Sequence, residues 1–329
     1  MISFKNKKIA IFRALQLGDL LCAIPAIRAL KTAFPDARLT LIGLPWSELL
    51  VSRFPHYFDA FIHFPGYPGL PEQEFDKAQF QLFAQKMQVS HFDFIFQLQG
   101  NGTIVNQMLQ ELDAGTVMGY TIDPTAENQH FMLYPNYGHE INRHLMLMEH
   151  FGIPSLGPNL EFPTDALDKI SLESLHLPIK PNKYVCIHPG SRGVWRQWPT
   201  AHFAALGDLC VRAGLTAVVT GTASEAAIVA EVIEQMECPA INLAGKTSLG
   251  SIAELIDGAY LLISNCTGVS HIAAAVETPS VVISMDGEPE RWGPINTEIH
   301  HTIDWTRDPD FYKVLGITDD LLKRLTLPD

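Results

Sequence analysis

The chain has 329 residues, about twice the usual domain size, so two domains are expected. Hydrophobic residues make up 47% and charged residues 18%, the balance of a globular protein with a sizeable core. The formal charge of −13 argues against nucleic acid and against broad adhesion to an anionic membrane, because both need clustered Lys and Arg. The small basic group Lys5, Lys7 and Lys8 reads as a solvated N-terminus flanking the first strand.

That strand is predicted in Lys8-Ile-Ala-Ile-Phe-Arg13, a short apolar run of buried type. A turn is expected at Leu17-Gly18-Asp19, then a helix from Leu20 to Phe34 stopped by Pro35, then a strand over Arg38–Gly43. Such a strand–helix–strand unit implies parallel strands with helices on the sheet faces. The segment from Phe58 to Phe75, rich in Pro, Gly and aromatics, reads as an irregular loop bordering a cleft. A strand is predicted at Phe92–Leu98, ending in Gln99-Gly100, and a helix at Ile104–Leu112.

Between Gly152 and Asn182 the composition changes to a Pro-punctuated stretch with one short polar helix near Asp165–Leu175. It divides an N-terminal domain (1–160) from a C-terminal one (183–310), with 161–182 as linker and 311–329 as a helical tail. The second domain restarts the pattern. Strands are predicted at Tyr184–Ile187, Thr216–Thr220, Ile241–Leu243, Leu261–Ser264 and Ser280–Ser284. Helices are predicted at Thr200–Ala213 (Thr200 as N-cap), Ala223–Met236, Leu249–Asp257 and Val269–Val276. Two parallel α/β halves put a cleft between them, and ligands of open α/β sheets bind at the carboxyl ends of the strands.

The five cysteines form no C-x-x-C pair and lie mostly in apolar runs, so they are expected to be reduced and buried in a cytoplasmic protein. Ile9–Phe12 is too short for a signal peptide, and no apolar run approaches the ~20 residues of a membrane span. Contact with a membrane is expected to be peripheral at most.

Two turns follow predicted strands in the C-terminal half. In His188-Pro-Gly-Ser-Arg-Gly-Val-Trp-Arg-Gln-Trp-Pro199, the glycines allow close backbone approach, Ser191 offers a hydroxyl, and Arg192 and Arg196 add charge that suits phosphate. The bland alternative is a solvated loop with surface ion pairs. In Ser264-Asn-Cys-Thr-Gly-Val-Ser-His271, Thr267 and Gly268 fall at a helix start, where free N–H groups bind anions; Thr267 could equally be a simple cap. His271, one turn into the helix, reads first as a packed core residue. Asp19 in the N-terminal half is either a first-turn helix residue or a general base facing the cleft. There is no dinucleotide fingerprint, P-loop, nucleophile elbow or zinc framework. Asp308-Pro-Asp310 has a D-x-D form but sits in a Pro-containing surface turn.

Together these features resemble one family. The Leu-Gly-Asp turn with Pro25, the strand ending Gln99-Gly100, and Asn142-Arg-His144 resemble the ADP-heptose:lipopolysaccharide heptosyltransferases, glycosyltransferase family 9. So do the Pro-Gly-Ser…Arg-Gln-Trp-Pro turn, the Asn-x-Thr-Gly-x-x-His helix start and Pro279. The resemblance runs from about Lys8 to Pro294. It implies a GT-B fold, two Rossmann-like domains with parallel sheets facing across a cleft, and metal-independent inverting transfer with no cofactor. The donor would be a nucleotide sugar, ADP-heptose in the family, and the acceptor a lipopolysaccharide-core or related surface glycan at the cytoplasmic face of the inner membrane. By similarity Asp19 matches the general base. Ser191, Arg192, Arg196, Thr267 and Gly268 match the donor-diphosphate site, and Glu225 a position near the ribose. Cys266 stands where the family usually carries an Asp used on the donor sugar, with His271 nearby. A GT-B-like sugar-nucleotide epimerase and a non-catalytic nucleotide- or glycan-binding relative are the alternative readings.

Overall fold

A computed structural model describes residues 2–323 of the chain. It separates into two compact units, Met1–Asn159 and Leu160–Asp329. Residues 324–329, the end of the expected helical tail, lie outside the described residues.

The first unit runs β1 (Lys8–Phe12), α1 (Leu17–Ala33), β2 (Arg38–Gly43), α2 (Glu48–Arg53), β3 (Ala60–His63), α3 (Lys77–Ser90), β4 (Phe94–Gln97), α4 (Val105–Glu111), β5 (Thr116–Thr121), β6 (Phe131–Leu133) and α5 (Glu140–His150). Its strands form one parallel sheet in the order β3-β2-β1-β4-β5-β6. The central strand β1 is buried along Ile9–Phe12, as a strand covered on both faces must be, and this explains its unbroken apolar run. Helix α1 packs on α5 and is buried on most of its circumference, which explains why its sequence shows little amphipathic contrast. Pro25 lies inside α1, where its ring nitrogen cannot donate to the Leu21 carbonyl.

The second unit runs α6 (Ala166–Glu173), β7 (Tyr184–His188), α7 (Thr200–Arg212), β8 (Thr216–Val219), α8 (Ala226–Gln235), β9 (Ala240–Asn242), α9 (Leu249–Asp257), β10 (Leu261–Asn265), α10 (Gly268–Ala275), β11 (Ser280–Ser284), α11 (Pro289–Trp292), β12 (His300–Asp304) and α12 (Phe311–Lys323). Its parallel sheet has the order β12-β11-β10-β7-β8-β9. Both sheets therefore repeat one doubly wound plan. The chain leaves the first strand in one direction, then returns to the other side of it with the fourth, so the sheet order reverses at β1/β4 and at β7/β10. That reversal opens a crevice at the strand ends, where α/β sheets bind ligands.

Several expectations are corrected. Leu17-Gly18-Asp19 is the first turn of α1 itself, with Gln16 at the N-cap. The Phe58–Phe75 segment contains an edge strand, β3. Thr200 is the first helical residue of α7 rather than its cap; Pro199 takes the N-cap position, and the Thr200 hydroxyl donates to Glu231 at 2.8 Å. Residues 161–182 are more than a connector: α6 packs on α9 and belongs to the second unit. In α12, Val314, Leu321 and Leu322 are buried in the core of that unit, so this helix is a packed element. β12, absent from the predicted strands, pairs along the outer side of β11.

Candidate active site

In the first unit, a set of charged and amide side chains gathers where β1 and β4 end. Arg13 follows β1 directly and is wholly buried. Its guanidinium donates to the Asp19 carbonyl through Nε at 2.6 Å, to the Leu98 carbonyl through Nη1, and to Glu140 Oε1 through Nη2 at 3.2 Å. Glu140, at the start of α5, also lies 3.6 Å from Arg143 and 3.5 Å from His144. A buried arginine and glutamate are tolerated because each charge is met by the other, with backbone carbonyls accepting from Arg13 and Arg143 lying near Glu140. Gln99 links the two strand ends, accepting from the Ala14 N–H at 2.7 Å.

Asp19 sits at the edge of this network. Its Oδ2 accepts from the Gln16 N–H at 3.3 Å, closing the first turn of α1, and its Oδ1 lies 3.8 Å from Arg13 Nη2. Its side chain is a quarter exposed, unlike that of Arg13. The helix and Arg13 thus hold a first-turn carboxylate that still reaches solvent. The Asn142-Arg-His144 stretch lies on α5, and Arg143 is fixed there by the Tyr134 hydroxyl at 2.8 Å and the Tyr137 carbonyl at 3.1 Å. Sequence reasoning missed Arg13 and Glu140; a charge ending a buried strand was the available signal.

In the second unit, both glycine-containing turns meet at the β7/β10 reversal. Asn265, the last residue of β10, joins them. Its side-chain amide donates to the Pro189 carbonyl at 2.7 Å, and its Oδ1 accepts from the Trp198 N–H at 3.0 Å. Trp198 is buried against His202, Phe203, Trp305 and Phe311, which anchors the far end of the first turn in the core. Between these fixed points lies a short 3-10 turn, Val194–Arg196. Ser191 is buried and Arg192 exposed. Arg196 pairs with Asp286, and its guanidinium carbon lies 5.6 Å from the centre of the Trp195 ring.

Thr267 takes the N-cap position of α10, yet its side chain does not cap the helix. The Ser270 N–H donates to the Thr267 carbonyl at 3.0 Å, and the N–H groups of Gly268 and Val269 before it keep their capacity for an anion. His271 is buried in the body of α10. Cys266 is buried beside them; burial, reinforced by the negative charge of Asp286, pushes its thiol up to about 12. It is neutral at physiological pH and a poor acceptor.

Glu225 precedes α8, and its Oε2 accepts from the Thr222 N–H at 2.7 Å and the Thr222 hydroxyl at 2.9 Å. Its side chain lies so close to Gly190 that a Cβ there would overlap the carboxylate, which gives this glycine its steric reason. His188 is buried beside it, 3.9 Å from Oε2, with Nδ1 at 3.1 Å from the Thr220 hydroxyl. Burial lowers the His188 pKa against the opposing pull of Glu225. Asp308 and Asp310 are exposed; one pairs with Lys313 at 2.7 Å and the other accepts from the Tyr312 N–H at 2.9 Å, a helix-start role. Among the described residues, no group of three or more His, Cys, Asp or Glu is arranged to hold a metal ion.

A family model described as glycosyltransferase family 9 (heptosyltransferase) matches residues 81–314. Lipopolysaccharide heptosyltransferase 3 of Escherichia coli K12 is 27% identical over 289 residues, covering 84% of this chain and 82% of the relative. Among solved structures, a family 9 glycosyl transferase from Veillonella parvula superposes with a TM-score of 0.80 at 18% identity, covering 98% of this chain and 99% of the other. The ADP-heptose LPS heptosyltransferase II of E. coli superposes with a TM-score of 0.76, also at 18% identity, covering 98% and 100%. These structural likenesses show the same two-domain α/β fold.

Proposed function

Because this chain belongs to glycosyltransferase family 9, the heptosyltransferases, we propose that it moves heptose from ADP-heptose to a lipopolysaccharide-core or related surface glycan. The donor and acceptor classes come from the relatives, one described as an ADP-heptose heptosyltransferase and one as a lipopolysaccharide heptosyltransferase. The observation that carries the reading is Asn265, which clamps the Pro189–Trp198 turn against the start of α10 at the sheet reversal. On this reading Ser191, Arg192, Arg196, Thr267 and Gly268, carried on those elements, are the groups offered to the diphosphate.

In the proposed reaction an acceptor hydroxyl attacks the anomeric carbon of the donor. The new bond joins the acceptor oxygen to that carbon as the bond to the β-phosphate oxygen breaks, with inversion. Asp19 takes the hydroxyl proton, and ADP leaves carrying the electron pair. Arg196, Arg192 and the first N–H groups of α10 balance the charge that builds on the diphosphate, so the step needs no metal. Glu225 Oε1, which makes no hydrogen bond among the described residues, is the group offered to the ribose hydroxyls. Among the described residues no helix is long and apolar enough to cross a membrane, and we place the enzyme peripherally at the cytoplasmic membrane surface, where a glycolipid acceptor presents its sugars.

A donor panel tests this reading. ADP-heptose, other ADP-sugars and UDP-sugars are offered with heptosylated core oligosaccharide, and glycan product is read by mass spectrometry. Product from ADP-heptose that Arg196→Ala abolishes is the expected result; no product from any ADP-sugar would overturn it.

A further inference from the structure

We infer that Asp286 is a positioning residue for the donor diphosphate, acting by holding the Arg196 guanidinium in a binding-ready orientation. The inference rests on the reading of Arg196 as a diphosphate ligand. Asp286 stands just past the end of β11, in the Ser284–Glu288 turn next to the β10 end that carries Cys266. Its Oδ1 accepts from the Ser284 hydroxyl at 2.7 Å and from the Glu288 N–H at 3.2 Å, while Oδ2 takes Arg196 Nη2. The carboxylate is therefore fixed by its own turn before the arginine arrives. Its side chain is 9% exposed against 33% for Arg196, so the anchor is buried and the cation remains accessible.

A guanidinium carries five N–H donors in a planar fork. Asp286 engages one terminal nitrogen and the guanidinium carbon lies 5.6 Å from the Trp195 ring centre, leaving the rest of the fork for phosphate oxygens. A lone carboxylate beside an anion site would repel the ligand. With the guanidinium between them, the same carboxylate removes the conformational freedom of a long side chain before binding, which favours affinity.

The two effects have opposite signs, and calorimetric titration of the full chain separates them, with ADP and AMP as probes. Asp286→Ala is expected to weaken ADP binding about tenfold while AMP affinity stays unchanged, and Asp286→Asn, which keeps one acceptor oxygen, recovers part of the loss. Tighter or unchanged ADP binding in Asp286→Ala, together with weakened binding in Arg196→Ala, overturns the inference and leaves the reading of Arg196 intact. Unchanged ADP binding in Arg196→Ala overturns both. Equal loss of ADP and AMP in Asp286→Ala assigns the residue to loop packing and also overturns it.

Discussion

The side-chain amide of Asn265 donates to the Pro189 carbonyl at 2.7 Å, across 76 residues of sequence, and so ties the end of β10 to the turn that follows β7. Its Oδ1 holds the Trp198 N–H at 3.0 Å, so one buried side chain fixes both ends of the arginine-bearing turn. Asn265→Ala strands two buried backbone groups. A loss of about 2 kcal/mol in unfolding free energy and a weaker donor KM are expected, measured by urea denaturation and steady-state kinetics.

Arg13 makes a different prediction. It is buried and joins the Asp19 backbone, Glu140 and the Leu98 carbonyl, so Arg13→Met leaves Glu140 short of a countercharge and frees the start of α1. Breaking a buried pair costs about 3 kcal/mol or more. Thermal denaturation should show that loss, and kcat should fall well below the wild-type value even where the variant remains folded, while ADP affinity stays unchanged.

How much of this was readable from sequence depends on the range of the interaction. The strands β1, β7, β10 and β11 announced themselves because both faces are buried and their apolar runs are unbroken. The edge strands β3, β6 and β12 carried no such signal: β6 has three residues, and β12 contains two histidines and an aspartate. Each is paired on one side only, to the strand just before it in the chain, so it is half covered and needs no unbroken apolar run. The same division runs through the site. Arg196, Thr267 and Asp19 stand out by residue type at a strand-to-helix turn, whereas the roles of Asn265 and Asp286 exist only once β7, β10 and β11 lie side by side. Asp286 did have one legible mark, its place just beyond a predicted strand end.

At Cys266, where the resemblance implies an Asp, the surroundings set what the thiol can do. With burial and Asp286 pushing the thiol up to about 12, iodoacetamide at pH 8 should leave it unlabelled in the native protein, as read by peptide mass spectrometry. Cys238, the partly exposed cysteine, is the one expected to label. Cys266→Asp puts a second carboxylate beside Asp286. That variant should lose stability and change its preference among nucleotide sugars, and adding Asp286→Asn should restore part of the stability; a strictly additive pair would contradict the electrostatic coupling.

His300 gives a pH dependence with a definite sign. Its ring contacts the Ser280 hydroxyl at 2.8 Å, and burial, aided by His301, lowers its pKa from 6.5 to about 4. Between those values the unfolded chain binds more protons than the folded one, so this contribution is intact above about 6.5 and is lost as pH falls toward 4. Denaturant midpoints between pH 7 and 4 should therefore drop more steeply for the wild type than for His300→Gln; parallel curves would contradict it.

The central claim, that Asp19 is the base for sugar transfer, is tested most directly by following heptose transfer from ADP-heptose to a core-oligosaccharide acceptor in Asp19→Asn. The isosteric amide keeps the size of the side chain but cannot accept the acceptor's proton. The account predicts kcat reduced by about 10²-fold or more with ADP affinity unchanged, and wild-type turnover in Asp19→Asn would contradict it.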